Sequence, residues 1–176
     1  MTEAARFLGE PQHRLIYLCE KGVVQPDAQD AEGRGSSRRF SARNLLEFGV
    51  VLRLRTLGIP VSVCGAVVYV LRGFERAMER QMPGFRLPGS LLEKKAPELK
   101  VIIGDNQRLY FTLGSGKSGA KTFGGVLLQD LLESDGDGRD ERKRLRGVGN
   151  EAKQVELLAK VEVSVTGIAQ DLRLGS

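Results

Sequence analysis

The chain has no tryptophan, one histidine and two cysteines among 176 residues, and aromatics make up only 6%. Few aromatics argue against stacking successive bases along a single strand. His13 stands alone, so no Ser–His–Asp arrangement can be assembled and catalysis is not expected. One histidine with Cys19 and Cys64 does not make a tetrahedral ligand set, so neither a metal nor another cofactor is expected. Two cysteines cannot frame a disulfide scaffold. Both lie in apolar helical patterns, the ordinary setting of a buried thiol, and a reducing cytoplasmic interior is the expected compartment. No basic segment followed by an apolar one leads the first helix, so no signal peptide is expected. The most apolar run, 61–71, falls far short of the roughly 20 residues a membrane span needs, and no membrane partner is expected.

The charge lacks polarity. The net charge of +5 fits a nucleic-acid partner. Residues 1–80 hold 12 Lys/Arg against 9 Asp/Glu, and the remainder 15 against 13. Any footprint on DNA must therefore come from the placement of charges. The hydrophobic fraction of 41% is enough for a packed core.

The patterning predicts helices first. Residues 2–8 read as a short helix with Thr2 as cap and Gly9 as stop, and Ala4, Ala5 and Leu8 share a face. A second helix follows, with Pro11 in its first turn, and runs to about Lys21 on an inward face of Leu15, Leu18 and Cys19. Gly22 ends it. Residues 23–26 read as extended, 27–37 as a mobile polar loop and 38–40 as a return strand, together a two-stranded wing. Ser41 caps a third helix over 42–57, with Leu45, Leu46, Val50, Leu54 and Leu57 at helical spacing. Gly58 and Pro60 turn the chain into a fourth helix over 61–81. Two Pro-Gly pairs, at 83–84 and 88–89, then mark a linker over 82–97.

Beyond it the period changes. Residues 99–104 and 108–113 flank Asp105-Asn106-Gln107 as a β-hairpin. Residues 122–133 fit a short helix or a strand. Residues 134–149 read as an exposed flexible segment, 151–158 have high helix propensity, 160–165 alternate as a strand, and Thr166 caps a final helix to 172. The expected fold class is α+β. A winged helix-turn-helix of four helices and a two-stranded wing occupies 1–81, and a small α+β domain for oligomerisation or signal sensing occupies 98–176.

The first half carries the arrangement that grips a duplex. A recognition helix presents polar side chains near its N-terminus to base edges while its back packs on the preceding helix. Gln12, His13 and Arg14 are placed for base readout: glutamine can pair with adenine and arginine with guanine. Tyr17, Arg34, Arg38, Arg39 and Arg43 are placed to hold backbone phosphates. Singly each has a plainer reading: a surface histidine, a half-buried tyrosine, a solvated strand end. Arg53 and Arg55 read as surface pairs or as a brace for the wing.

The order of these features, over about residues 2–74, resembles the MerR family of bacterial transcription regulators. Gly9, the helix ending at Gly22, the extended pair before Pro26, Arg38-Arg39-Phe40-Ser41 and Arg53-Leu54-Arg55-Thr56-Leu57-Gly58-Ile59 carry the resemblance. It implies sequence-specific binding of double-stranded DNA, with RNA polymerase as a further partner. The family's usual arginine before the first tyrosine of the recognition helix is Ile16 here, and Phe40 replaces a wing tyrosine. The long fifth helix that pairs family members ends before it starts, at Pro83. A homodimer would then form through a non-standard interface: the C-terminal domain, the fourth helix, or cooperative binding on DNA. Two rivals stand beside this reading. One is a DNA-architectural or recombination directionality factor that binds cooperatively without an effector, and the other is a protein-interaction module.

Gly114-Ser115-Gly116-Lys117-Ser118 follows a strand and ends in Gly-Lys-Ser, as a phosphate-binding loop does. The first glycine that motif requires falls on Phe111, so the spacing fails. Lys117 and Lys121 then lie in an ordinary glycine-rich loop.

Overall fold

Glycines close the first two helices. The computed structural model describes residues 1–27, 40–114, 119–132, 145, 147–152 and 155–174. Helix α1 (Thr2–Leu8) stops at Gly9, whose φ of 66° is the left-handed conformation that glycine adopts without a Cβ penalty. Thr2 is its first residue instead of its cap, which is Met1. Helix α2 (Gln12–Glu20) follows Pro11, which sits in the cap position instead of the first turn because its ψ of 135° is extended. Gly22 ends the turn after α2 with a φ of 67°.

Helix α3 (Ala42–Thr56) starts as its sequence requires. The Ser41 hydroxyl accepts the Asn44 N–H, and the Asn44 side chain accepts the Ser41 N–H in return. Leu46, Val50 and Leu54 are fully buried, whereas the expected core residue Leu57 lies half exposed at the helix end. Helix α4 (Val61–Gln81) has the expected span. Cys64, Ala66, Val67, Val68 and Val70 of its first half are buried. Its second half, polar outside, turns Phe74, Ala77 and Met78 inward. The Phe74 ring stacks on Phe111 at 4.7 Å and meets Phe123 and Phe85 edge-on at 5.7 and 6.5 Å.

Those partners belong to the region after α4. Residues 82–97, read as linker, hold a single 3-10 turn at Gly89–Leu91. Phe85, Leu87 and Leu91 among them are buried. The hairpin is present: β1 (Glu98–Gly104) pairs with β2 (Arg108–Gly114). The ambiguous stretch is both things in turn, β3 (Ala120–Leu127) followed by α5 (Leu128–Leu132). Strand β4 (Lys160–Ser164) pairs with β1, and the antiparallel sheet runs β3-β2-β1-β4. Val101, Phe111, Phe123 and Val163 lie in register across all four strands and form its inner face. Helix α6 (Val165–Asp171) is capped by Ser164, not Thr166. The Thr166 hydroxyl instead accepts the Leu99 N–H at 2.8 Å and donates to the Pro97 carbonyl at 3.1 Å, which ties α6 to β1.

Three expectations need correction. No wing strand is present among the described residues: 23–27 and Phe40 belong to none. Val23 and Val24 are buried, and the Val23 N–H closes α2 on the Leu18 carbonyl. The Gln25 carbonyl is taken by side chains of α3 and α4, and the rest of the expected wing, 28–39, lies outside the described residues. The described part of 151–158 is not helical. Glu151 bridges Phe123, and the Ala152 N–H binds the Thr122 carbonyl at 2.7 Å, so pairing with the sheet overrides propensity. Finally, the end of the segment read as flexible is packed. Val148 is buried, and the Gln81 amide donates to the Gly149 carbonyl at 2.8 Å. The rest of it, apart from Leu145, is 134–144 and 146, which lie outside the described residues.

Gly149 touches α4 closely. A Cβ there would stand 2.5 Å from the Ala77 Cβ, a contact with no flexible end to yield. Gly149→Ala is expected to cost about 1–3 kcal/mol by overpacking. Urea denaturation measures it, and an unchanged midpoint would refute the contact.

Candidate nucleic-acid interface

Helix α2 divides into two faces. Leu15 and Leu18 face the core, while Gln12, His13, Arg14 and Tyr17 are exposed. The structure thus leaves four of the eight predicted residues exposed on α2, and His13, Arg14 and Tyr17 line one groove. Arg14 holds Glu10 at 2.8 Å, with its side chain 60% exposed. Such an i,i+4 surface pair is worth little, so the guanidinium is readily released to another acceptor. Tyr17 is 45% exposed, and the Lys21 ammonium lies 5.7 Å from its ring centre. The hydroxyl of Thr2 reaches Gln12 only at 3.5 Å.

Arg34, Arg38 and Arg39 lie outside the described residues. The two ends of their loop do not, and both are fastened by one side chain. Buried Asn44 accepts the Asp27 and Ser41 N–H groups through Oδ1, at 3.0 and 3.3 Å. Its Nδ2 donates to the Gln25 carbonyl at 2.9 Å and to Glu47 at 3.2 Å. The Ser41 hydroxyl closes the gap directly on the Asp27 carboxylate. Phe40 packs edge-on against Phe48 of α3 at 5.3 Å, so its ring has an apolar seat.

Below Asn44 lies a buried ion pair. Arg72 of α4 grips Glu47 of α3 with two bonds of 2.6 Å, and a further bond of 3.2 Å reaches the Gln25 carbonyl. Burial pushes the Glu47 carboxyl above its ordinary range, and the bonds from Arg72 and Asn44 pull it back only in part. The hydrogen bonds it donates to Glu47 hold Arg72 firmly charged. Arg43 sits in the same base. Its guanidinium lies 3.1 Å from buried Glu75 and 4.0 Å from Asp27, so two carboxylates already compete for it. The other oxygen of Glu75 accepts the Leu87 N–H at 2.8 Å, so the loop base is joined to residues after α4.

Asn44, Glu47, Arg72 and Glu75 are the residues that the sequence pattern missed. The spacing of Ser41 and Asn44 carries a capping signal. Nothing in spacing pairs Glu47 with Arg72, which are 25 positions apart.

A groove of about 440 Å³ runs beside the exposed face of α2, between it and the turn from α3 to α4. His13, Arg14 and Tyr17 form one wall; Leu52, Arg55 and Val61 form the other. Elsewhere in this half, burial raises the Cys64 thiol, which keeps it protonated and unreactive. Among the described residues no helix is long and apolar enough to cross a membrane. In comparisons with known proteins, the chain matches no protein-family model and no curated protein.

Proposed function

We propose that the chain is a sequence-specific regulator that binds double-stranded DNA in the manner of the MerR-like winged helix proteins it resembles. The observation that carries the reading is the split of α2. An apolar back seats the helix, and Gln12, His13, Arg14 and Tyr17 are exposed. That is what a major-groove helix needs. The loop carrying Arg34, Arg38 and Arg39 leaves directly after it, and Asn44 fixes where that loop starts and ends. Arg34, Arg38 and Arg39 hold the neighbouring backbone, and Arg43, paired with Asp27 at the start of the loop, is a further backbone contact. The protein acts in the cytoplasm, on the nucleoid, without catalysis, and RNA polymerase is its further partner.

Fluorescence anisotropy with a random duplex at low salt tests the reading, since non-specific contacts suffice there. Absence of binding rejects it. Arg38→Ala is expected to weaken binding to every sequence alike and to flatten the salt slope by about one unit. An unchanged slope removes Arg38 from the backbone contacts. Selection from a random pool then gives half-site number and spacing.

One observation favours the architectural alternative. Among the described residues no long helix follows α4 to pair two chains. Binding in cooperative arrays needs no such helix. Whole-chain titration on a long duplex distinguishes the two: an array fills progressively, whereas a regulator stops at a defined number of chains. The homodimer expected for a regulator would use a surface other than a coiled coil.

A further inference from the structure

We propose that the groove between α2 and the α3–α4 turn binds a small amphipathic anion, an aromatic ring bearing one acid group, and that this ligand and a duplex exclude each other. The groove's volume of about 440 Å³ lies within the range of small-molecule sites, on the order of 300–1,000 Å³. Its lining has the two-part character such sites share. Leu52 and Val61 are half-buried and offer an apolar wall, and the exposed Tyr17 ring offers a face for stacking.

The charge of the lining selects the ligand's sign. Arg14 and Arg55 contribute two positive charges and Glu10 one negative. The remainder is one positive charge, which suits a single acid group. Arg55 is available for it. One of its N–H groups donates to the Ile59 carbonyl at 2.7 Å, and a guanidinium carries five such donors in a fork that matches a carboxylate or sulfonate. Arg14 can add a second contact at the expense of its weak surface pair with Glu10. An occupant would lie against His13, Arg14 and Tyr17 on the side where they meet DNA. The exclusion half of the proposal rests on the DNA reading; the binding half does not.

The probe is 1-anilinonaphthalene-8-sulfonate, an aromatic monoanion that brightens in apolar sites, titrated into the full chain. Its fluorescence should saturate at one molecule per chain. Arg55→Glu, a surface change that leaves the core intact, should weaken binding about tenfold or more by reversing the charge beside the acid group. Lys121→Glu, on β3 and away from the groove, makes the same charge change and should not. A duplex that binds the free chain should displace the probe. Binding that fails to saturate, or that survives Arg55→Glu, overturns the site. Probe that stays bound beside a bound duplex overturns exclusion alone. A chain that binds no duplex at low salt overturns exclusion together with the DNA reading, and Arg55→Glu still decides the site.

Discussion

Arg72→Ala is expected to destabilise the fold by about 3–5 kcal/mol at neutral pH, the usual cost of leaving a buried charge without its partner. Glu47 is 1% exposed and takes two bonds from Arg72. Asn44 remains to it after the substitution, but one amide cannot replace a guanidinium. The pH dependence has a definite sign. Burial already lifts the Glu47 carboxyl above its unfolded value, and losing Arg72 lifts it further. A raised carboxyl favours the fold below the unfolded pKa, and that advantage disappears as pH rises through the folded pKa. The deficit of Arg72→Ala against the natural chain should therefore shrink as pH falls toward the carboxylate range. Urea denaturation at several pH values measures it. A deficit below about 1 kcal/mol, or one that grows in acid, would mean that Glu47 is not held in this way. Arg72→Met combined with Glu47→Leu should recover much of the loss, because replacing a buried pair by apolar groups is often neutral.

The Arg72 result also bears on the loop, because the Gln25 carbonyl is shared by Asn44 and Arg72. The helices were legible because their signals are local: Gly9 and Gly22 stop two of them, and Ser41 starts a third. The hairpin was legible for the same reason, since Asp105-Asn106-Gln107 parts two apolar runs. The exposed face of α2 followed from Leu15 and Leu18 at helical spacing. What stayed hidden depends on contacts distant in sequence. Glu47 and Arg72 each look like surface charges within their own helices. The affinity of residues 151–158 for helix yields to hydrogen bonds with β3, and the Gln25 carbonyl is taken by side chains that no local pattern foretells. Arg43, which reads as a free phosphate contact beside a helix start, is drawn down between Glu75 and Asp27 for the same reason.

Phe74→Ala should cost about 3–5 kcal/mol, as full-depth phenylalanine truncations do. Its consequence for organisation is sharper than its size. Phe74 belongs to a helix of the N-terminal half, yet its ring is stacked on Phe111 and edged by Phe123 and Phe85, all beyond the helix. The buried side chains run without a break from Ala4 to Ala169, and Glu75, one position on, holds the Leu87 N–H. If the two halves share this core as one cooperative unit, losing one ring must weaken both. Native-state hydrogen exchange reads this directly. Amides of Leu46 in α3 and of Val101 in β1 should lose protection by similar amounts, and urea unfolding should remain a single transition. Loss confined to Val101 and its sheet neighbours, with Leu46 unchanged, would instead mean two units joined by residues 82–97. In that case the N-terminal half could be cut free after Gly84 and studied alone. If both lose protection together, such a cut would expose Phe74 and Met78, and the intact chain is the right object for every binding experiment.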